Sequence, residues 1–383
     1  MNKKITKKHF YYYFLICVIF IVSSCSNDDD NQKAETKFSV GQLILSGDIT
    51  DDEAKIKITE SLNSDTQTLI IRNTTNLTTI EIPEITSLIN LEVSNNQKLK
   101  QLYLYNITSI SNTSVIEYNE VLQSIDFSKL EEVGAATISY NPLLQNILFT
   151  SLQSIYNELN IYVNASLQSI SANNLSSAGL IRIGINEQLS TLEMNTLSVV
   201  DETLQINYNN TLKAISFPKL VSCNVGIGIS LNENLGTVSF PVLTSVSNID
   251  KPEVSYNGYF TITGGVSPSN ITLPNLETAK NLTIGNDNLE TLIIPKLNSC
   301  LRFVTYSDKI LSSVELNSLQ EFESLDFDDS TFSTDVMDSV LNQLVSITPS
   351  ITNKTIQLSG EVSITGQEKI DLLMSNGNTI TFK

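Results

Sequence analysis

Residues 159–175 read LNIYVNASLQSISANNL, and the chain repeats the pattern as IRIGINEQLSTLEMNTL over 181–197 and LQINYNNTLKAISFPKL over 204–220. Each copy alternates apolar with polar residues and then places an asparagine, Asn164, Asn186 or Asn209. Leucine or isoleucine follows three and six positions later, and leucine eleven. The step between asparagines is 22 or 23 residues. Self-similarity at a fixed step of this size means a solenoid, in which each repeat buries its apolar side only by stacking on its neighbours.

Working outward, the asparagine phase aligns Thr74, Asn96, Asn119 and Asn141 before this stretch, and Asn232, Asn257, Asn286 and Asp308 after it. Steps of 25 and 29 around Asn257 place insertions at residues 247–252 and 261–268, a Gly/Pro/Ser-rich stretch expected to protrude as a loop. Period-two alternation on either side of the asparagine predicts two short half-buried strands per coil and a third, less regular side. Pro218, Pro241, Pro274 and Pro295 share one phase, where a proline can close the second strand at a corner without harming the ladder. The recurring asparagine has a structural reason too. Its amide can accept from one coil and donate to the next, satisfying backbone groups that the turn leaves unpaired. The expected ladder is Asn96, Asn119, Asn141, Asn164, Asn186, Asn209, Asn232 and Asn257. Eleven coils at the strand spacing of about 4.8 Å make a rod about 50 Å long.

The solenoid domain, with an N-terminal cap, is expected over residues 40–332: a strand at 42–46, a capping helix at 51–62, then the repeats from Leu69. From 333 to 383 the pattern changes to a small α+β cap. Val336, Met337, Val340, Leu341, Leu344 and Val345 share a helical face behind an N-cap at Ser333 or Thr334. Pro349 ends that helix, and a strand at 355–358, a helix at 367–374 and a strand at 379–382 follow. A cap of this kind covers the open end of a stack.

The unit N-x-x-L-x-x-[IV]-x-[FL]-[PS]-x-L-x-x-[VIC], with its preceding strand, resembles the receptor L-domain repeat, a leucine-rich-repeat relative. The resemblance spans about residues 69–325 and rests on the repetition. It implies a mainly β, right-handed β-solenoid and extracellular recognition without catalysis. The disulfides of the animal receptors are missing, so their ligands do not carry over.

The N-terminus has its own signature. Lys3, Lys4, Lys7 and Lys8 precede 13 apolar residues at 10–22, too few to cross a hydrocarbon core that needs about 20, but the length of a signal-peptide core. Ser23-Ser24-Cys25 follows, which resembles the bacterial lipoprotein processing box, with Val22 in place of the commoner leucine. Residues 1–24 are thus expected to be a lipoprotein signal peptide and Cys25 the lipid-modified residue. Residues 25–39, with Asp28-Asp29-Asp30, read as a self-repelling tether. Such an acidic segment resembles the one that sends some Gram-negative lipoproteins to the outer face of the cell. Together with the repeats and cap, these features are similar to leucine-rich bacterial surface lipoproteins. A lipid anchor in the outer membrane and surface display are expected.

Little here points to catalysis. The one histidine, His9, lies in the leader, removing the commonest general base and metal ligand. Beyond residue 24 the chain carries 19 basic against 41 acidic side chains, about −22, which argues against a nucleic-acid partner. Cys223 and Cys300 share a repeat phase three coils apart and read as buried small apolar residues, not a disulfide or a metal pair. Asp326, Asp328 and Asp329 lack the glycine turn and distal glutamate of an EF-hand. No catalytic residue, cofactor or metal site is expected. Outward first-strand positions (Thr137/Ser139, Asn160/Tyr162, Arg182/Gly184, Gln205/Asn207, Gly228/Ser230) form a flat strip suited to a protein or glycan and equally to plain solvent. A recognition or adhesion module is therefore expected; the rivals are a structural surface spacer and a β-helix polysaccharide-degrading enzyme. Cys25→Ser is expected to abolish radioactive fatty-acid incorporation and to leave the leader uncleaved; retained label would refute the anchor.

Overall fold

Two tight turns per repeat account for the leucine spacing. In the computed structural model, which describes residues 41–246, 258–264 and 268–382, the ladder asparagine opens the first turn. Leu167, Leu189 and Leu212 donate their backbone N–H to the carbonyls of Asn164, Asn186 and Asn209 at 3.0–3.1 Å. The second turn starts eight residues on, with Leu197 donating to Met194 (3.2 Å) and Leu220 to Phe217 (3.3 Å). Pro218 follows Phe217, where its fixed φ suits a turn and its missing N–H costs nothing. The leucines three and eleven residues after the asparagine therefore close two turns, and their side chains are fully buried.

Short strands run between the turns. On the second side Ser169–Ser171 pairs with Thr191–Glu193, and Ala214–Ser216 with Thr237–Ser239, in parallel and residue for residue. On the first side Thr203–Asn207 pairs with Gly226–Ser230 in the same way. The third side departs from the expected irregularity. It is a short strand that often bends straight into the next first-side strand, as in Ser154–Tyr162, where the register slips between Ile155 and Glu158. Among the described residues the first and third sides join in one 18-stranded sheet, and second-side strands form sheets of two or three. The chain is mainly β, built on a long parallel sheet, consistent with a β-solenoid.

Stacking puts like on like inside. Phe217 lies 5.6 Å from Phe240 and Phe127 6.1 Å from Phe149, ring on ring. Between those pairs the same position holds Ala172 and Met194, both fully buried, so a flexible methionine fills beside the smaller residue.

The ends are built differently. Strand Gln42–Gly47 pairs in parallel with Thr68–Thr74, and helix α1 (Asp51–Ser61) starts at a capping box between Thr50 and Glu53. At the other end Ser333 accepts from Val336 N (3.4 Å) to start α2 (Thr334–Val345), whose Val336, Met337, Val340, Leu341 and Leu344 are buried. Helix α3 (Ile364–Ser375) begins three residues earlier than the pattern suggests, because Ser363 caps it by accepting from Gly366 N (3.0 Å). Strands Thr355–Leu358 and Thr379–Phe382 continue the long parallel sheet beyond Ser324. This C-terminal segment extends the sheet as well as closing it.

The asparagines form a continuous hydrogen-bonded column. Asn186 Oδ1 accepts from Asn164 N (3.0 Å) and Asn164 Nδ2 (3.3 Å), while Asn186 N and Nδ2 donate to Asn209 Oδ1 at 3.2 and 3.3 Å. Asn186 Nδ2 also reaches the carbonyl of Ile161 (3.1 Å) in the preceding coil. The same bonds link Asn96, Asn119, Asn141, Asn164, Asn209 and Asn232. Thr74 begins the column by donating N–H and Oγ to Asn96 Oδ1.

Two expectations around the insertion need correcting. Asn257 lies outside the described residues, and the strand that follows it has its own register. Tyr259–Thr263 is a first-side strand, pairing Ile227 with Phe260 and Ile229 with Ile262. Gly264, just after that strand, is left-handed like Leu231, which follows the paired strand. Residues 261–263 belong to that strand and not to a loop; Phe260 and Ile262 are its buried pair. Asn286 keeps the phase but not the column, its Oδ1 accepting from Asn288 N (2.8 Å) and its Nδ2 donating to the Pro268 carbonyl (3.1 Å).

Asn186→Ala removes the acceptor from two buried donors on Asn164 and is expected to cost about 1–3 kcal/mol. Gln188→Ala, exposed two residues away, should stay within about 0.5 kcal/mol. Equal losses in denaturant titrations of the two variants would contradict the ladder's structural weight.

Candidate functional site

A stack of this kind must reverse its side-chain phase at each corner, so that the asparagine points in. The residue just before each asparagine does this with a left-handed backbone: φ lies between 51° and 57° at Asn73, Asn95, Tyr118, Tyr140, Val163, Ile185, Tyr208 and Leu231. Asparagine tolerates that region, but for other non-glycine residues it costs roughly 1–2 kcal/mol. Neighbouring coils hold it in place. Tyr118 N donates to the Ser139 carbonyl (3.3 Å), Tyr140 N to Tyr162 (3.2 Å) and Tyr208 N to Ser230 (3.2 Å).

Because the asparagine points in, its predecessor points out. Tyr118 and Tyr140 stack on each other with centroids 4.6 Å apart and planes 11° from parallel, yet remain 46% and 43% exposed. They stand in an open groove of about 580 Å³. One wall is the left-handed column from Asn73 to Val163; the other is the residues following the ladder positions, Gln97, Glu120, Pro142 and Ala165. The left-handed column runs through five coils, four strand steps, or about 19 Å along the stack. Partial burial, with Tyr140 and Glu117 nearby, raises the Tyr118 phenol pKa, so the hydroxyl stays a neutral donor.

Sequence reasoning did not single out this corner. The pattern showed an asparagine phase, but Asn, Tyr, Val, Ile and Leu at the preceding position have no common chemistry. Their shared backbone conformation appears only in three dimensions.

The first-strand strip proves to be neither flat nor free. Tyr162 packs over Gly184, and Tyr259 over Gly226, so closely that a Cβ on either glycine would collide with the ring. Gln205 Nε2 donates to Tyr259 Oη (3.2 Å), and Asn207 Oδ1 accepts from Ser230 N (3.2 Å) and Oγ (2.9 Å). Arg182 and Glu158 form an ion pair at 2.8 Å. These side chains tie one coil to another and leave little for a ligand.

Other singled-out residues stay apart. Asp326 is half-buried in strand Ser324–Phe332; the side chains of Asp328 and Asp329 lie outside the described residues, as does Cys25. No three His, Cys, Asp or Glu converge on a metal-sized site among the described residues. Nor, among them, is any helix long and apolar enough to cross a membrane.

No family model matches the sequence, and no curated protein matches it either. Among solved structures, that of the pneumococcal vaccine antigen PcpA aligns over 90% of this chain and 91% of that one. The identity is 14% and the TM-score 0.18, too low for any inference about fold or function.

The two cysteines occupy one column. Strand pairing runs from Ser222 through Ser245 and Thr278 to Ser299, which sets the adjoining Cys223 and Cys300 three steps, about 14 Å, apart. A disulfide needs Cα atoms about 4.4–6.8 Å apart. Both thiols are free and buried, and burial pushes each pKa from 9.0 up to about 12. The reactive thiolate is thus scarce in the native protein up to at least pH 10. Both thiols are expected to react slowly with a thiol reagent in native protein and quickly in denaturant. A Cys223–Cys300 link found by mass spectrometry on folded protein would falsify the register.

Proposed function

We propose that the chain is a non-catalytic recognition or adhesion module, a right-handed β-solenoid of about eleven coils resembling the receptor L-domain. A lipid on Cys25 holds it to the outer membrane, and the acidic segment after Cys25 displays it at the cell surface. The observation that supports recognition most strongly is the corner groove, where two stacked tyrosines remain exposed. Tyrosine, apolar in body and polar at its tip, is enriched at interfaces. A rigid sheet stack holds such a surface with little ordering cost on binding.

The partner in this proposal is a protein or a glycan. The acidic balance of the chain disfavours nucleic acid. The knitted first-strand strip favours a second reading, a structural spacer that holds another surface element away from the membrane.

Binding separates the two. The purified chain is expected to bind at least one member of an immobilised panel of matrix proteins and polysaccharides saturably, while releasing no reducing sugar or unsaturated product. Turnover of any polysaccharide overturns the non-catalytic assignment; absence of binding across the panel favours the spacer.

A further inference from the structure

The groove's walls narrow the ligand class. The main-chain donors of the corner and of the ladder are already committed. The left-handed residues donate their N–H groups to the next coil, and the ladder N–H groups go to asparagine Oδ1 atoms, as Asn119 N does to Asn141 (3.3 Å). An extended peptide therefore finds none of these N–H groups open, and strand addition needs donors as well as acceptors along the edge. Charge narrows the class further. Among the described residues Glu120 is the one charged residue lining the groove, and the chain has 41 acidic against 23 basic side chains, a balance that disfavours anionic ligands.

The tyrosines are not needed to bury the ladder. Asn96 is 0% exposed although Asn95 precedes it, and Thr74 is 0% exposed behind Asn73. Asparagine fits the left-handed corner at lower cost than tyrosine does. Placing Tyr118 and Tyr140 there adds strain to the fold, and what it adds in return is exposed aromatic surface. Around those rings stand side-chain amides and one carboxylate, which can both give and take hydrogen bonds from hydroxyls.

We infer that this groove binds a neutral oligosaccharide laid along the coil stack, its apolar C–H groups against the exposed edges of the stacked Tyr118–Tyr140 pair and its hydroxyls on Asn95, Gln97 and Glu120. This rests on the recognition role proposed above and supplies the ligand class for it. Asn95 and Gln97 flank one ladder position and Glu120 follows the next, whereas Pro142, Val163 and Ala165 make the far end of the groove apolar.

The test uses the full purified chain, a Tyr118→Asn/Tyr140→Asn double variant, and Tyr156→Ser as a control on another, exposed part of the surface. Asparagine is the residue the same corner already carries at 73 and 95, so the double variant should keep its melting temperature. Probes are yeast mannan and laminarin as neutral polymers, homogalacturonan as an acidic one, and gelatin as a protein. Saturable binding to mannan or laminarin is expected, about tenfold weaker in the double variant and unchanged in the control. Should the double variant melt early, the two single variants carry the test, each weakening binding about threefold or more. Binding confined to homogalacturonan or gelatin, or undiminished by the tyrosine changes, overturns the inference and leaves the recognition role standing. Binding to none of the four overturns the inference, and the wider panel above then decides the role.

Discussion

The structure depends on how a coil turns a corner inside its own core. A bend in a strand leaves backbone donors and acceptors facing the interior, where an unmade hydrogen bond costs about 1–3 kcal/mol. The asparagine amide answers this with one acceptor and two donors on a short side chain. Asn186 joins three coils at once, through Ile161, Asn164 and Asn209. Each amide thereby satisfies its own corner and sets the register of the next. The left-handed predecessor, the turn-closing leucine and the outward tyrosine all follow from holding that amide inward.

Stacking then makes every position a column. Phenylalanine meets phenylalanine, and Cys223 shares its file with Val246, Ala279 and Cys300. On the outer face the same constraint links unlike residues. Tyr162 covers Gly184 in the next coil and Tyr259 covers Gly226 in the preceding one, where a Cβ would collide with the ring. The strip becomes a set of interlocking contacts that strengthen the stack.

The corner answers to a different balance. Its backbone is fixed by the ladder and by main-chain bonds between coils, so side chains there can vary without loss of the turn. Asn73 and Asn95 relieve the left-handed strain, whereas Tyr118, Tyr140 and Tyr208 accept it and remain exposed. Freedom from packing duties is what leaves the corner's side chains exposed.

The sequence by itself determined the repeat, its step and the side each residue faces. Burial alternates along a strand with period two, and leucines recur where turns close, so local chemistry alone carries that information for Leu167, Ile170 and Leu175. It also carried the asparagine phase from Asn96 to Asn232. At Asn257, outside the described residues, the insertion breaks the step, and the sequence alone does not set the register there. Only pairing across coils placed Phe260 beside Ile227 and Ile262 beside Ile229. The tertiary structure alone decided that the strip would be occupied by its own neighbours and the corner left open. Both outcomes depend on contacts between residues about 22 positions or more apart, such as Tyr162 with Gly184 and Tyr118 with Tyr140, and no local pattern encodes which of two like columns will close over itself.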